Sequence, residues 1–162
     1  MNYSQIRSLD IANGKGCRIA IFCSGCTNRC VNCFQPETWD FSYGKEFTED
    51  TLKSILELAK PNYIAGLSCL GGEPLHPKNR EEMLKLTRKF KEAYPEKDIW
   101  LWTGYLFEDI KDLLPGSGID VLIDGKFVEE LKDLRLKYRG SSNQRVISVN
   151  ASLEAGDIIL YE

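Results

Sequence analysis

The segment at residues 17–33, CRIAIFCSGCTNRCVNC, decides both the fold and the chemistry that this chain can support. Its first six residues are, except for Arg18, apolar and partly β-branched, which predicts a buried strand. Cysteines follow at once with the spacing Cys-x3-Cys-x2-Cys, formed by Cys26, Cys30 and Cys33. The sequence therefore predicts a strand that leads directly into a loop with three closely spaced thiols.

Strands and helices alternate beyond this segment. Apolar runs predict strands at residues 64–70, 98–102 and 120–123, with weaker candidates at 146–149 and 158–161. Amphipathic patterns predict helices at residues 48–60, 79–94 and 107–114. The alternation is typical of βαβ units around a mostly parallel sheet. Because a full eight-unit barrel takes about 250 residues, a chain of 162 residues predicts a single α/β domain, either an incomplete barrel or a short open sheet.

Unusual polar or glycine-rich sequences follow the predicted strands. They are the cysteine segment, GGEP at residues 71–74, TG at 103–104 and DGK at 124–126. Ligands of parallel α/β folds bind at the carboxyl ends of the strands. We therefore expect these four sequences to converge on one site.

Charge and hydropathy exclude several classes of function. The chain carries 21 basic and 24 acidic residues, a formal net charge of −3, so nucleic acids and anionic membranes are poor candidates for its main partner. No apolar run approaches the ~18 residues of a membrane span, and the first residues lack the apolar core of a secretory signal. The expected compartment is the reducing cytoplasm, where clustered cysteines indicate metal or redox chemistry more often than disulfides.

The cysteine triplet can hold three corners of a four-iron cluster, which leaves one iron open for a substrate. Two other interpretations remain open. Cys23 and the triplet together could bind structural zinc, although the two pairs of a zinc ribbon usually stand about 12–20 residues apart. Cys23 and Cys26 could also form a redox Cys-x-x-Cys pair. Cys17 and Cys69 fall within apolar strands and are predicted to be core residues, whereas Cys23 has no assigned role.

The triplet after one strand and GGEP after the next resemble the radical S-adenosylmethionine (SAM) superfamily. The chain further resembles the activating proteins of anaerobic ribonucleoside-triphosphate reductase over about residues 1–146. The segments that carry this resemblance are GGEPLHPKN, DIWLWTGY, VLIDGKFVEELKD and RGSSNQR. The resemblance implies an incomplete (β/α) barrel of the radical SAM type with helices outside. It also implies a 4Fe–4S cluster on Cys26, Cys30 and Cys33 that cleaves SAM reductively and generates a glycyl radical on the reductase.

The same resemblance implies which residues contact SAM. They are Asn32, Cys33, Phe34, Gly71, Gly72, Glu73, Thr103, Asp124 and Lys126. The glycines would let the ligand approach the backbone closely, and Thr103 would hydrogen-bond the ribose or methionine part of SAM. Asp124 would bind the ribose hydroxyls, and Lys126 would bind the SAM carboxylate. The superfamily usually places an aromatic residue just before the third cysteine, where this chain has Asn32. No acid–base residue is predicted, since the cofactor carries the reaction.

The partners follow from the resemblance as well. They are the glycyl-radical subunit of the reductase and a flavodoxin- or ferredoxin-like electron donor, with homodimerisation left open. One alternative is an activase of another glycyl-radical enzyme such as pyruvate formate-lyase. An alternative of a different class is a non-catalytic iron–sulfur or zinc-binding module.

Overall fold

A seven-stranded sheet forms the centre of the computed structural model, which describes residues 1–30 and 36–162. The strands are β1 (Asn2–Asp10), β2 (Cys17–Cys23), β3 (Lys45–Glu46), β4 (Ile64–Gly71), β5 (Asp98–Trp102), β6 (Val121–Asp124) and β7 (Arg145–Ser148). Their order across the sheet is β3-β1-β2-β4-β5-β6-β7. The central strands β2, β4, β5 and β6 are parallel, and the outer strands β1, β3 and β7 join by antiparallel pairing.

The described residues also form four α-helices. They are α1 (Glu49–Leu58), α2 (Arg80–Ala93), α3 (Phe107–Ile110) and α4 (Val149–Ala155). Short 3-10 helices lie at Pro36–Trp39, Lys111–Leu113 and Glu129–Leu131. Thr48 caps α1, because its side chain accepts from the backbone N–H of Thr51. Among the described residues, none of the helices has both the length and the apolar character that a membrane crossing requires.

The two faces of the sheet bury different groups, because successive side chains of a strand point to opposite faces. One face packs against α1 and α2 through aliphatic residues such as Ile21, Leu67 and Leu101. On the other face Trp100 is fully buried among Val121 and Ile123. The parallel strands are therefore covered on both faces, as their nearly continuous apolar sequences predict.

A fully buried arginine lies on the second face. The Arg18 guanidinium donates to Ser68 Oγ at 2.7 Å, to the Leu67 carbonyl at 3.0 Å and to the Lys15 carbonyl at 2.9 Å. It also pairs with the Asp98 carboxylate at 2.7 Å. These bonds tie the β1–β2 connection to β4 and β5 near the amino ends of β2 and β5, opposite to the strand ends that lead to the cysteine triplet.

Most predicted elements are confirmed, and the differences have physical causes. The strand at 98–102 is confirmed residue for residue. The mostly parallel sheet is correct only for the four central strands, since three of the six strand pairings are antiparallel. Strand β1 was not predicted, because its half-buried and exposed residues do not alternate regularly along the sequence. The candidate at 158–161 forms one isolated bridge to β7 instead of a strand.

Candidate functional site

A cavity of about 480 Å³ opens where the carboxyl ends of the parallel strands meet. The predicted site residues that line it are Cys26, Cys30, Gly71, Gly72, Glu73, Thr103 and Lys126. Its walls include the apolar side chains of Phe22, Leu70 and Trp102. The structure therefore brings together side chains that the sequence places up to a hundred residues apart.

Two cysteines of the triplet face this cavity. Cys26 is buried and Cys30 is half-buried. The third predicted ligand, Cys33, lies outside the described residues together with Asn32 and Phe34, so the roles of these three stay predictions. Within the described residues, no three histidine, cysteine or carboxylate side chains are grouped to bind a metal ion.

Backbone amide groups lie beside the buried Cys26 thiol. Burial raises the pKa of Cys26, and the backbone N–H groups of Asn28 and Arg29 oppose that effect. Arg29, which lies between Cys26 and Cys30, adopts a left-handed conformation with φ of 46°. N–H groups that favour the charged form of a thiol fit a cysteine that would bind iron as a thiolate.

Glu73 is the polar centre of the site, and only 1% of its surface is exposed. One carboxylate oxygen accepts from the Gly104 N–H at 2.6 Å and from Asn28 Nδ2 at 3.2 Å. The other accepts from Thr103 Oγ1 at 2.7 Å and from the Leu75 N–H at 2.9 Å. Burial raises the pKa of Glu73 and these four donors oppose the rise. The carboxylate thus joins the ends of β4 and β5 to the cysteine segment.

Glycines permit the close approach of the cysteine segment to the end of β4. The Gly72 N–H donates to the Cys23 carbonyl and the Glu73 N–H donates to the Gly25 carbonyl, each at 2.8 Å. A Cβ on Gly72 would lie 2.6 Å from the Gly25 carbonyl oxygen. Gly25 itself has φ of +99°, and a Cβ there would lie 1.9 Å from Phe41 Cδ1. No side chain fits at either position.

The residues predicted after β6 occupy different surroundings. Lys126 is exposed and lines the cavity. Asp124 is fully buried, and its carboxylate accepts from the Phe107 N–H at 2.8 Å and from Arg145 Nη2 at 2.5 Å. Asp124 lies outside the cavity lining. Its binding of ribose hydroxyls stays a prediction, and what the structure shows is a bond between β6, β7 and the start of α3.

The remaining cysteines lie apart from the cavity lining. Cys23 and Cys69 are fully buried in the core, and Cys17 packs partly buried against it. Burial raises the pKa of Cys69 to about 12 and the pKa of Cys23 well above its ordinary value. Neutral thiols in such surroundings fit the core interpretation, which now covers Cys23 as well.

Sequence reasoning missed three residues that organise the site. Gly25 and Asn28 hold the cysteine segment, and Asn79 donates its side-chain amide to the carbonyls of Ser24 and Glu73, both at 3.0 Å. Gly25 had a signal, since a glycine between two cysteines indicates a turn with positive φ. Asn28 and Asn79 had no such signal in the sequence, because Asn28 binds Glu73, 45 residues away, and Asn79 binds the Ser24 carbonyl, 55 residues away.

Known proteins resemble the chain over most of its length. A family model described as a 4Fe-4S single cluster domain matches residues 12–147. A protein of Enterobacteria phage T4 is 47% identical over 148 residues, which cover 91% of this chain and 94% of the relative. Relatives from Vibrio cholerae and Escherichia coli K12 are 43% and 42% identical over 150 residues, covering 89% and 90% of this chain and 96% and 97% of the relatives. All three are named anaerobic ribonucleoside-triphosphate reductase-activating protein.

Proposed function

Since the chain belongs to the family of anaerobic ribonucleoside-triphosphate reductase-activating proteins and has a 4Fe–4S single cluster domain, we propose that it is a radical SAM activase. Its reaction is the reductive cleavage of SAM, and its product is a glycyl radical on the reductase. The observation that carries the proposal is the cavity that Cys26 and Cys30 share with Gly71 and Gly72 at the end of β4.

The proposed ligands of the cluster are Cys26, Cys30 and Cys33. When bound, the cluster would supply the electron for the reductive cleavage of the sulfur–C5′ bond of SAM. Three cysteine ligands would leave one iron of a four-iron cluster open for SAM, as catalytic metal sites keep an open position. The buried Cys23 is not a fourth ligand in this proposal.

The other site residues bind and orient SAM. Gly71 and Gly72 carry no side chains, so the amino-acid end of SAM can approach the backbone beside the cysteines. Lys126 offers a positive charge to the SAM carboxylate. Thr103 lines the cavity and donates its hydroxyl to Glu73, so it also stabilises the shape of the cavity. The apolar wall residues, such as Trp102, restrict water around the reacting atoms.

The expected partners are the glycyl-radical subunit of anaerobic ribonucleoside-triphosphate reductase and a flavodoxin- or ferredoxin-like electron donor. We also interpret the sheet as part of an incomplete barrel of the radical SAM type, because β2, β4, β5 and β6 follow one another in chain order without reversal. An incomplete barrel leaves the cavity open on one side, which suits a substrate that is a loop of another protein.

The decisive experiment is anaerobic reconstitution of the protein with iron and sulfide, followed by reduction in the presence of SAM. We expect bound iron and sulfide, release of 5′-deoxyadenosine, and a glycine radical in the electron spin resonance spectrum after addition of the reductase. Cys30→Ala should lose cleavage, and Cys69→Ala, a matched control in the core, should retain it. Zinc without iron, or full cleavage by Cys30→Ala, would refute the proposal. If the radical forms on pyruvate formate-lyase and not on the reductase, the partner of this activase is pyruvate formate-lyase.

A further inference from the structure

The motif RGSSNQR at residues 139–145 has no role in the proposed binding of the cluster or of SAM. It leads into β7, which pairs antiparallel with β6. Because Arg145 lies opposite Asp124 in this pairing, the residues before Arg145 run beside the residues after Asp124. The motif is therefore adjacent to the turn formed by Gly125 and Lys126.

Two side-chain amides of the motif hold this turn. Gln144 Nε2 donates to the Gly125 carbonyl at 2.9 Å, and Asn143 Nδ2 donates to the Lys126 carbonyl at 2.8 Å. The Gly125 N–H donates to the Tyr105 carbonyl at 3.1 Å. Both carbonyls of the turn and one of its N–H groups are thus bonded to residues outside it.

The two amides are themselves fixed. Gln144 Oε1 accepts from the Gly140 N–H at 2.8 Å and from the Ser141 N–H at 3.2 Å. Asn143 Oδ1 accepts from the hydroxyl of Ser141 at 2.6 Å, and Ser141 is fully buried. Since each amide is bonded at its oxygen as well as at its nitrogen, its orientation is determined.

The turn needs such support because its own residues are flexible. Gly125 has φ of +95°, a conformation that glycine enters and leaves freely. Lys126 carries its ammonium on a flexible four-carbon chain. The bonds to the backbone therefore determine from which point of the cavity wall the Lys126 side chain extends. A backbone that is already ordered lowers the entropic cost of binding a ligand there.

Three cationic residues line the cavity, namely Arg7, Lys126 and Arg139. Arg7 pairs with Asp10 at 3.4 Å, and Arg139 donates to the Gln144 carbonyl at 2.6 Å. The ion pairs within the described residues do not include Lys126. Because both arginines already have partners within the protein, Lys126 is the best suited of the three to bind a ligand carboxylate.

We propose that Gln144 and Asn143 are positioning residues that make the cavity selective for a ligand with a carboxylate. Their amides hold the Gly125 and Lys126 carbonyls and thereby keep the Lys126 ammonium within reach of the amino-acid end of SAM. The inference rests on the proposed function in one respect, namely that Lys126 binds the SAM carboxylate.

Two variants loosen the turn at different points. Gln144→Ala removes the bond to the Gly125 carbonyl, and Asn143→Ala removes the bond to the Lys126 carbonyl. Ser142→Ala is the matched control, because Ser142 is exposed and lies in the same segment. Lys126→Met removes the charge and keeps a long unbranched side chain. The first two substitutions are also introduced into the Lys126→Met background.

Each protein is reconstituted with iron and sulfide under anaerobic conditions, and its urea midpoint is measured to verify that it is folded. Isothermal titration calorimetry then gives the Kd of the oxidised protein for SAM and for decarboxylated SAM, which lacks only the carboxylate. Because the proposed cleavage needs an electron, SAM stays intact in the oxidised protein. The Kd therefore reports on binding alone.

We expect Gln144→Ala to weaken SAM binding about tenfold, the lower end for loss of a hydrogen bond to a charged group. Asn143→Ala should act in the same direction but by less, because its bond is exposed to water. Neither should change the Kd for decarboxylated SAM, and neither should weaken SAM binding further in the Lys126→Met background. Ser142→Ala should bind both ligands like the wild type.

Equal losses of affinity for both ligands would overturn the proposal, since Gln144 would then only maintain the cavity. So would a loss that persists in the Lys126→Met background, or wild-type affinity for SAM in both alanine variants. Wild-type affinity in Lys126→Met would refute the role of Lys126 and with it this inference, even where reduction of that variant still yields 5′-deoxyadenosine. If the wild-type protein binds no SAM, it is the proposed function that fails.

Discussion

Gly25 allows the sharpest test of how the cysteine segment is held. Replacement by alanine has two separate costs, because the backbone has φ of +99° and a Cβ would lie 1.9 Å from Phe41 Cδ1. A left-handed conformation costs a residue with a Cβ about 1–2 kcal/mol. Overpacking against a ring that must move costs about 1–3 kcal/mol more. We expect Gly25→Ala to lower the free energy of unfolding by about 2–5 kcal/mol, within the ~5–15 kcal/mol of a typical domain.

Gly116→Ala is the matched control for the backbone cost. Gly116 has φ of +74°, and no atom lies within 4 Å of a Cβ built there. Its replacement should therefore cost only the ~1–2 kcal/mol of the conformation. A third measurement introduces Gly25→Ala into the Phe41→Ala background, where the ring that causes the overlap is gone. There the cost of Gly25→Ala should fall to that of Gly116→Ala.

The assay is urea unfolding of the iron-free, reduced protein, followed by tryptophan fluorescence, so that metal binding does not contribute. The interaction free energy between the two substitutions follows from the four proteins of the double-mutant cycle. Equal costs for Gly25→Ala and Gly116→Ala would refute the reasoning, as would an unchanged cost of Gly25→Ala in the Phe41→Ala background. Either result would mean that the segment can move away from Phe41 without loss of stability.

Three further predictions concern buried charges. Burial raises the pKa of Asp10, but hydrogen bonds from Asn13 and the neighbouring backbone outweigh burial and hold the pKa below its usual range. The ionised Asp10 therefore stabilises the folded protein above about pH 4, and this contribution is lost as the pH falls through the pKa of the folded state. Urea midpoints measured from pH 7 to pH 3 should fall less steeply in Asp10→Asn than in the wild type. Arg18→Met should cost about 3 kcal/mol in urea unfolding, the lower end for a broken buried pair because Asp98 is 39% exposed and can be hydrated, and a free energy of unfolding equal to that of the wild type would contradict this. Glu73→Ala should cost about 2–4 kcal/mol because buried N–H groups lose their acceptor, and Glu73→Gln should also destabilise the fold, since its amide nitrogen would face donors that one oxygen now accepts from; wild-type stability of Glu73→Ala would show that the carboxylate does not hold the strand ends.

Much of the fold could be predicted because it depends on local patterns. Strand β5 and helices α1 and α2 follow from runs of apolar residues or from apolar residues at helical spacing, and these signals need no knowledge of distant contacts. Strand β1 could not be predicted, since its pairing with β2 and with β3 determines its conformation. The sheet edges were misjudged for the same reason: antiparallel pairing depends on how the chain returns and not on composition.

The sequence by itself determined the chemistry that the protein can support. The spacing of the cysteine triplet and the position of GGEP after a strand limited the candidate functions to a few kinds of metal or cofactor site. Metal ligation and close approach of a ligand to the backbone require particular residues at particular separations. These requirements are met within short segments of the chain. They can therefore be recognised before any tertiary contact is known.

Only the tertiary structure decided how the side chains of the site are used. Asn28 and Glu73 are 45 residues apart and Asp124 and Arg145 are 21 apart, yet each pair is joined by hydrogen bonds. Such pairs arise from the register of neighbouring strands, and a buried polar group takes whichever partner that register brings within reach. The role of Asp124 toward SAM stays a prediction from the sequence, whereas its bond to Arg145 and the bond that anchors the cysteine segment at Glu73 are contacts that only the fold shows.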